Sequence, residues 1–159
     1  NGESVTVSLT PPHDFRIGDH IKLASGEVEI HSVNTGVPHA VLFVDDADKA
    51  MVSELGHEIR HHNHYAPAGT NVNFVQRTGD DSIRVRTYER GVGETLACGT
   101  GVSAAALIMA KLHGCGSPVR VRVLGGDDLG VAFEPAGDSF ANVQLTGPAE
   151  FVFSGQIEI

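Results

Sequence analysis

The sequence predicts an α+β fold in which a β-sheet curls over one strongly apolar helix. Three observations carry that expectation. Residues 102–112 form an Ala/Leu-rich run of high helix propensity. Around it lie many short stretches in which apolar and polar residues alternate with the period of a half-buried strand. Gly, Pro, Asp and Ser clusters punctuate those stretches, as turns require. With 159 residues, 41% of them hydrophobic and 19% charged, the chain can bury one substantial core and is expected to be a single domain.

Taken in order, Val5, Val7 and Leu9 alternate with Thr6 and Ser8 in a first strand, which Pro11-Pro12 ends. A loop is expected through Gly18, then two short strands at 20–23 and 27–33 joined by a turn at Ser25-Gly26. His31 falls on a polar face and reads as a solvated strand residue. Residues 40–44 are continuously apolar, which suits a strand covered on both faces. Asp45-Asp46 can cap a helix from about 47 to 55, and a further helical turn is expected over 57–62, before Pro67. Strands at 69–76 and 82–89 are joined across Thr78-Gly79-Asp80-Asp81 as a hairpin. A helix from about 100 to 113 follows, ended by His113-Gly114-Cys115-Gly116-Ser117-Pro118. Strands at 119–124, 129–133, 141–145 and 150–153 complete an all-β C-terminal run, with Arg120 and Arg122 on a solvent face.

A net charge of −9 argues against a sequence-independent nucleic-acid binder, and the longest apolar run is far too short to cross a bilayer. A small molecule is the expected partner. The only cysteines, Cys98 and Cys115, flank a helix about 20 Å long, too far for a disulfide. Two free thiols suit a reducing, cytoplasmic setting. His57-Glu58-Ile59-Arg60-His61 matches the H-E-x-x-H zinc pattern, and His62 and His64 thicken the cluster. Gly56 and Pro67 confine that helix to about two turns and no third-ligand motif follows. The expected reading is a solvated polar face and no metal.

The chemically distinctive stretch is Tyr88-Glu89-Arg90-Gly91-Val92-Gly93-Glu94-Thr95-Leu96-Ala97-Cys98-Gly99-Thr100-Gly101. It places Cys98 at a helix N-terminus, where unpaired N–H groups and the helix dipole favour an anion, or Cys98 itself as thiolate. Flanking Gly99 and Gly101 let a ligand approach the backbone. A lone cysteine is otherwise most often a small buried hydrophobe.

This stretch resembles the second cysteine motif of the diaminopimelate epimerase family. Thr35-Gly36-Val37-Pro38-His39, Gly69-Thr70-Asn71-Val72-Asn73-Phe74-Val75 and the closing Thr146-Gly147-Pro148-Ala149-Glu150-Phe151-Val152-Phe153 agree with that family in order and spacing. The resemblance covers nearly the whole chain but only the second half of the family's usual length. It implies a mixed sheet wrapped around a central helix, as one half of a pseudo-symmetric two-domain epimerase. Residues 1–159 are then the C-terminal domain, with a last strand at about 149–159 that packs against an absent N-terminal domain carrying the partner cysteine.

The implied activity is inversion of an α-carbon of diaminopimelate, LL to meso, by two thiols without pyridoxal or any other cofactor, in lysine and peptidoglycan precursor biosynthesis. Carried over residue by residue, Cys98, His39 and Glu89 take catalytic positions, while Asn71, Glu89, Arg90, Gly99 and Thr100 contact substrate. Where the family commonly has Asn before the Pro-His pair, this chain has Val37, and Asn34 is the candidate to supply the missing amide. A related racemase of proline-type substrates and a Cys-His acyl-transfer enzyme pairing Cys98 with His39 stand as alternatives. A metal-dependent hydrolase using His57, His61 and His64 is the remotest. The oligomeric state is open, a homodimer among the candidates.

Overall fold

A computed structural model describes residues 3–158; Asn1, Gly2 and Ile159 lie outside the described residues. Ten strands and two α-helices occur among them: β1 (Glu3–Ser8), β2 (His13–Leu23), β3 (Gly26–Asn34), β4 (Pro38–Phe43), α1 (Val52–Arg60), β5 (Asn71–Gly79), β6 (Ser82–Glu89), β7 (Gly93–Thr95), α2 (Gly99–His113), β8 (Val119–Val123), β9 (Asp128–Ala136) and β10 (Ser139–Ala149). All the strands belong to one mixed sheet, ordered β1-β10-β9-β8-β6-β5-β4-β3-β2, with β7 paired beside β6. The pairs β4/β5 and β6/β8 are parallel and the remaining pairs antiparallel.

The sheet wraps around α2, as the α+β pattern predicts. That helix has no polar face to leave in water: residues 101–110 are all buried. It packs against β3, β4, β5, β6, β8, β9 and β10. Leu107, Ile108 and Met109 are fully enclosed, each worth about 1.5–3 kcal/mol by removal from water. Near the open seam the two ends of the chain meet. The Leu9 N–H donates to the Val143 carbonyl at 2.9 Å, and the Phe15 ring in β2 lies 6.0 Å from that of Phe140 in β10. On the outer face, α1 buries Val52 and Ile59 against a second cluster that includes Ile30, Leu42, Val72 and Phe74.

Several elements depart from the expectation. The loop expected through Gly18 is part of β2, which absorbs it through two register shifts against β3. The helix expected at 47–55 is a single 3-10 turn at Ala47–Lys49, capped by Asp46, followed by α1. Gly56 does not end that helix but lies inside it, because the Tyr88 ring occupies the place of its Cβ, which would stand 2.5 Å from Tyr88 Cγ. Beyond α1, Asn63–Tyr65 forms another 3-10 turn.

His31 is not solvated. It is 3% exposed, its Nδ1 accepts from the Gly18 N–H at 3.0 Å, and its ring meets Phe43 edge-on. β3 is covered on both faces there, which polarity alone does not announce. The strand expected over 150–153 and the last strand at about 149–159 are absent among the described residues. β10 runs on to Ala149 and stops, with both of its edges already occupied by β1 and β9. Phe151, Val152, Phe153 and Ile157 are 85–98% exposed.

Candidate active site

Four segments converge at one end of the sheet: the starts of β4 and β5, the end of β6, and the first turn of α2. Parallel pairing sets His39 beside Asn71, and the β5/β6 hairpin brings Tyr88 beside Val72. Glu89 and Arg90 therefore end their strand next to Asn71. β7 turns the chain back, pairing Glu89 with Gly93, and delivers it to Cys98, which is the N-cap residue of α2. As the sequence expects, Cys98 and Cys115 are free and lie beyond opposite ends of that helix.

A continuous hydrogen-bonded line runs from the sulfur into the sheet. Cys98 Sγ lies 3.6 Å from Thr100 Oγ1, which lies 2.9 Å from His39 Nε2. His39 Nδ1 meets Asn73 Nδ2 at 3.1 Å, and Asn73 Nδ2 also donates to the Ala40 carbonyl at 3.0 Å. Thr87 Oγ1 donates to Asn73 Oδ1 at 2.9 Å. Thr35 Oγ1 donates to the Thr100 carbonyl, fastening the first turn of α2 to the end of β3. His39, Asn73, Thr35 and Thr87 are all buried. Burial holds the His39 imidazole neutral, pushing its pKa down from 6.5 to about 4.

Cys98 is half-buried. Desolvation pushes its thiol pKa up, and the Glu89 carboxylate acts in the same direction, while the Thr100 hydroxyl and the N–H groups of Gly101 and Thr100 oppose them. The thiolate expected from the helix terminus alone is therefore not the resting form: loss of water outweighs the helix-end donors. A thiol held above its ordinary pKa is a stronger base once ionised, which suits proton transfer at carbon.

The other candidate residues are arranged as follows. Asn71 has both polar ends in use, its Nδ2 donating to the Pro38 carbonyl and its Oδ1 accepting from the Arg90 N–H at 2.7 Å. Arg90 is exposed and spends one N–H on the Ala68 carbonyl. Glu89 Oε1 accepts from Thr95 Oγ1 at 2.7 Å. Asn34 uses Oδ1 to accept from the Gly36 N–H, closing a local turn. It lines an open cleft of about 480 Å³ together with Pro38, His39, Gly69 and Thr70.

Sequence reasoning missed the contribution of Thr87 and the network role of Asn73, although alternation along β5 does put Asn73 on the face of Asn71. It also missed Arg86, which grips Glu94 bidentately at 2.6 and 2.9 Å and donates to the carbonyls of Ala47, Asp48 and Ala50. That clamp ties the turn preceding Cys98 to the segment leading into α1.

The H-E-x-x-H histidines stay away from this site and are engaged locally. His57 and His61 are exposed at the end of α1 with ring centroids 4.3 Å apart, and His61 Nδ1 donates to the His57 carbonyl. Glu58 accepts from the Ala24 N–H, and His64 meets Asp19 at 3.0 Å. Among the described residues no three His, Cys, Asp or Glu side chains are grouped to hold a metal ion.

A sheet wrapped around one buried helix is a fold shared with solved epimerase and racemase structures. The solved structure of a hydroxyproline epimerase from Agrobacterium vitis superposes with a TM-score of 0.70 at 24% identity, over 91% of this chain and 49% of that one. That likeness concerns the fold alone. The sequence profile described as diaminopimelate epimerase matches residues 31–152, and the chain belongs to that family. It is 44% identical over 159 residues to the diaminopimelate epimerase of Chlorobaculum tepidum, covering 99% of this chain and 59% of that protein. It is 45% identical over 162 residues to that of a Hydrogenobaculum species, covering 99% and 56%. The chain thus spans little more than half the length of the curated relatives it matches. No helix among the described residues is long and apolar enough to cross a membrane.

Proposed function

We propose that this chain is the C-terminal half of a cytoplasmic diaminopimelate epimerase and that Cys98 is one of its two acid/base groups. The observation that carries the reading is the placement of Cys98 as N-cap of α2, with its sulfur beside the first-turn N–H groups. Inverting an α-carbon requires a group on each face, one removing a proton and the other delivering one. As base, the Cys98 thiolate forms an S–H bond while the α-C–H bond breaks, and the electron pair spreads into the adjacent carboxylate. The N–H groups of Gly99 and Thr100 hold that carboxylate and stabilise its developing charge with fixed dipoles. A thiol on the N-terminal domain returns a proton to the opposite face, and in the reverse direction the two groups exchange roles.

In this reading Arg90 grips the distal carboxylate, Glu89 balances an ammonium, and Asn71 holds the Arg90 backbone in place at the substrate's edge. Asn34, in the cleft beside His39, offers its NH2 group where Val37 supplies none. His39 holds the Thr100 hydroxyl rather than touching the sulfur. Its Nε2 is turned to Thr100, which weighs against the acyl-transfer alternative, where a histidine takes a proton directly from sulfur. The exposed Phe151, Val152 and Phe153 form the surface on which the N-terminal domain packs.

The test is solvent exchange by the full-length protein in D2O. LL-diaminopimelate should gain one deuterium at an α-carbon as it becomes the meso isomer, proline should gain none, and Cys98→Ser should stop the exchange. Exchange that survives Cys98→Ser, or that favours proline, overturns the reading.

A further inference from the structure

We propose that Asn73 and Thr87 are positioning residues for Cys98: they lock His39 in the Nε2–H tautomer, so that the proton of the Thr100 hydroxyl is directed at the sulfur. The proposal rests on the reading of Cys98 as an acid/base group and assigns what governs its ionisation. Its starting point is the Ala40 carbonyl, which can only accept. The Asn73 atom 3.0 Å from it must therefore be the NH2 nitrogen, which fixes the orientation of the amide. The second proton of that nitrogen faces His39 Nδ1 at 3.1 Å. Nδ1 then has to present its lone pair, and the neutral ring carries its proton on Nε2.

From there the direction propagates outward. Nε2–H donates to Thr100 Oγ1, whose own proton is left for Cys98 Sγ at 3.6 Å. At the inner end, Asn73 Oδ1 receives the Thr87 hydroxyl at 2.9 Å, so rotation of the amide would break that bond as well as the one to Ala40. Asn73 is 0% exposed, His39 1% and Thr87 3%, which leaves no bulk water to substitute for a wrongly oriented partner. In the opposite tautomer His39 Nε2 would accept the Thr100 proton and the sulfur would lose its hydroxyl donor. The carboxylate of Glu89 acts on the same thiol from the end of β6, opposing its ionisation, and does not belong to this line.

Two measurements on the full-length protein test the assignment, the second read on the Cys98-containing peptide by mass spectrometry. In the first, 15N-labelled histidine is observed by long-range proton–nitrogen correlation near pH 7.5, and His39 is expected as Nε2–H. An Nδ1–H ring overturns the proposal without any variant being made. In the second, the pH dependence of Cys98 alkylation by iodoacetamide is followed in a Cys115→Ser background. Asn73→Asp, which turns an acceptor toward Nδ1, is expected to raise the apparent pKa by about one unit, roughly tenfold less thiolate at a given pH.

Because the added carboxylate could act through charge alone, the same substitution is made in a Thr100→Val chain, where it should have no further effect. Should Asn73→Asp fail to fold, Thr87→Val, uncharged and nearly isosteric, is expected to shift the pKa in the same direction by a smaller amount. An equal shift with and without the Thr100 hydroxyl, or no shift in the variants that fold, overturns the proposal. Loss of epimerisation in the full-length protein is read separately, so failure of the activity assignment does not mimic failure of this one.

Discussion

A Cβ on residue 101 would stand 2.4 Å from Asn73 Oδ1 and 3.2 Å from His39 Cε1, so Gly101 is what allows α2 to seat against the polar line in β4 and β5. Gly101→Ala should therefore overpack this contact at a cost of about 1–3 kcal/mol. Thermal unfolding should show a lower Tm, and the His39 ring signals should move. An unchanged Tm would mean that the helix can slide outward without penalty.

Cys98→Ser should abolish epimerisation in the full-length protein and leave its Tm within a few degrees. The side chain is half-buried at a helix start and makes no capping hydrogen bond to be lost. Paired activity and melting measurements check both halves of this expectation. Retained activity would remove the thiol from the mechanism.

Arg90→Ala should raise KM for diaminopimelate much more than Arg122→Ala. Arg122 is exposed, paired with Asp128 at 2.8 Å, and on the outer face of β8, so its loss should fall within about 0.5 kcal/mol of neutral. Steady-state kinetics of the two variants compare them directly. Equal losses would place the site elsewhere.

Acid should destabilise the fold through its buried histidines. His39 titrates near 4 when folded and near 6.5 when unfolded, so between those values the unfolded chain binds the extra proton. Its contribution to stability is whole above about pH 6.5, declines as the pH falls toward 4, and changes no further below. The shift corresponds to about 3 kcal/mol. His31, also lowered by burial, acts in the same sense. Denaturant titrations at pH 7.5 and 4.5 should show the loss, and His39→Gln should flatten the pH dependence.

These residues also show why only part of the molecule was legible beforehand. The central helix and the alternating strand Val119–Val123 were readable because an unbroken apolar run and a period of two each have one simple packing solution. Residues 47–60 were not, since the glycine that looks like a stop serves the Tyr88 ring, a partner supplied by another strand. His31 has the same lesson on the opposite side of the sheet. At the candidate site, Cys98 stood out from its local sequence, while His39, Glu89 and Arg90 were singled out by the family resemblance. Their connection through Asn73 and Thr87 could not be read from either, because it depends on the register of β5 against β6, which pairs Asn73 with Thr87 across fourteen residues of chain.

The enclosure of α2 has a consequence for how the molecule fails. Strands drawn from most of the chain surround this helix, so the amide hydrogens of its buried residues 102–110 can exchange with solvent only when that wrapping comes apart. The cysteine is thus mounted on what should be the slowest-exchanging segment, and in the proposed reading substrate meets only its first turn. Partial opening of the periphery, at β1 or in the residues after β10, would leave the mount intact. Deuterium uptake in α2 and irreversible loss of Cys98 orientation should accordingly share a single rate, that of global unfolding.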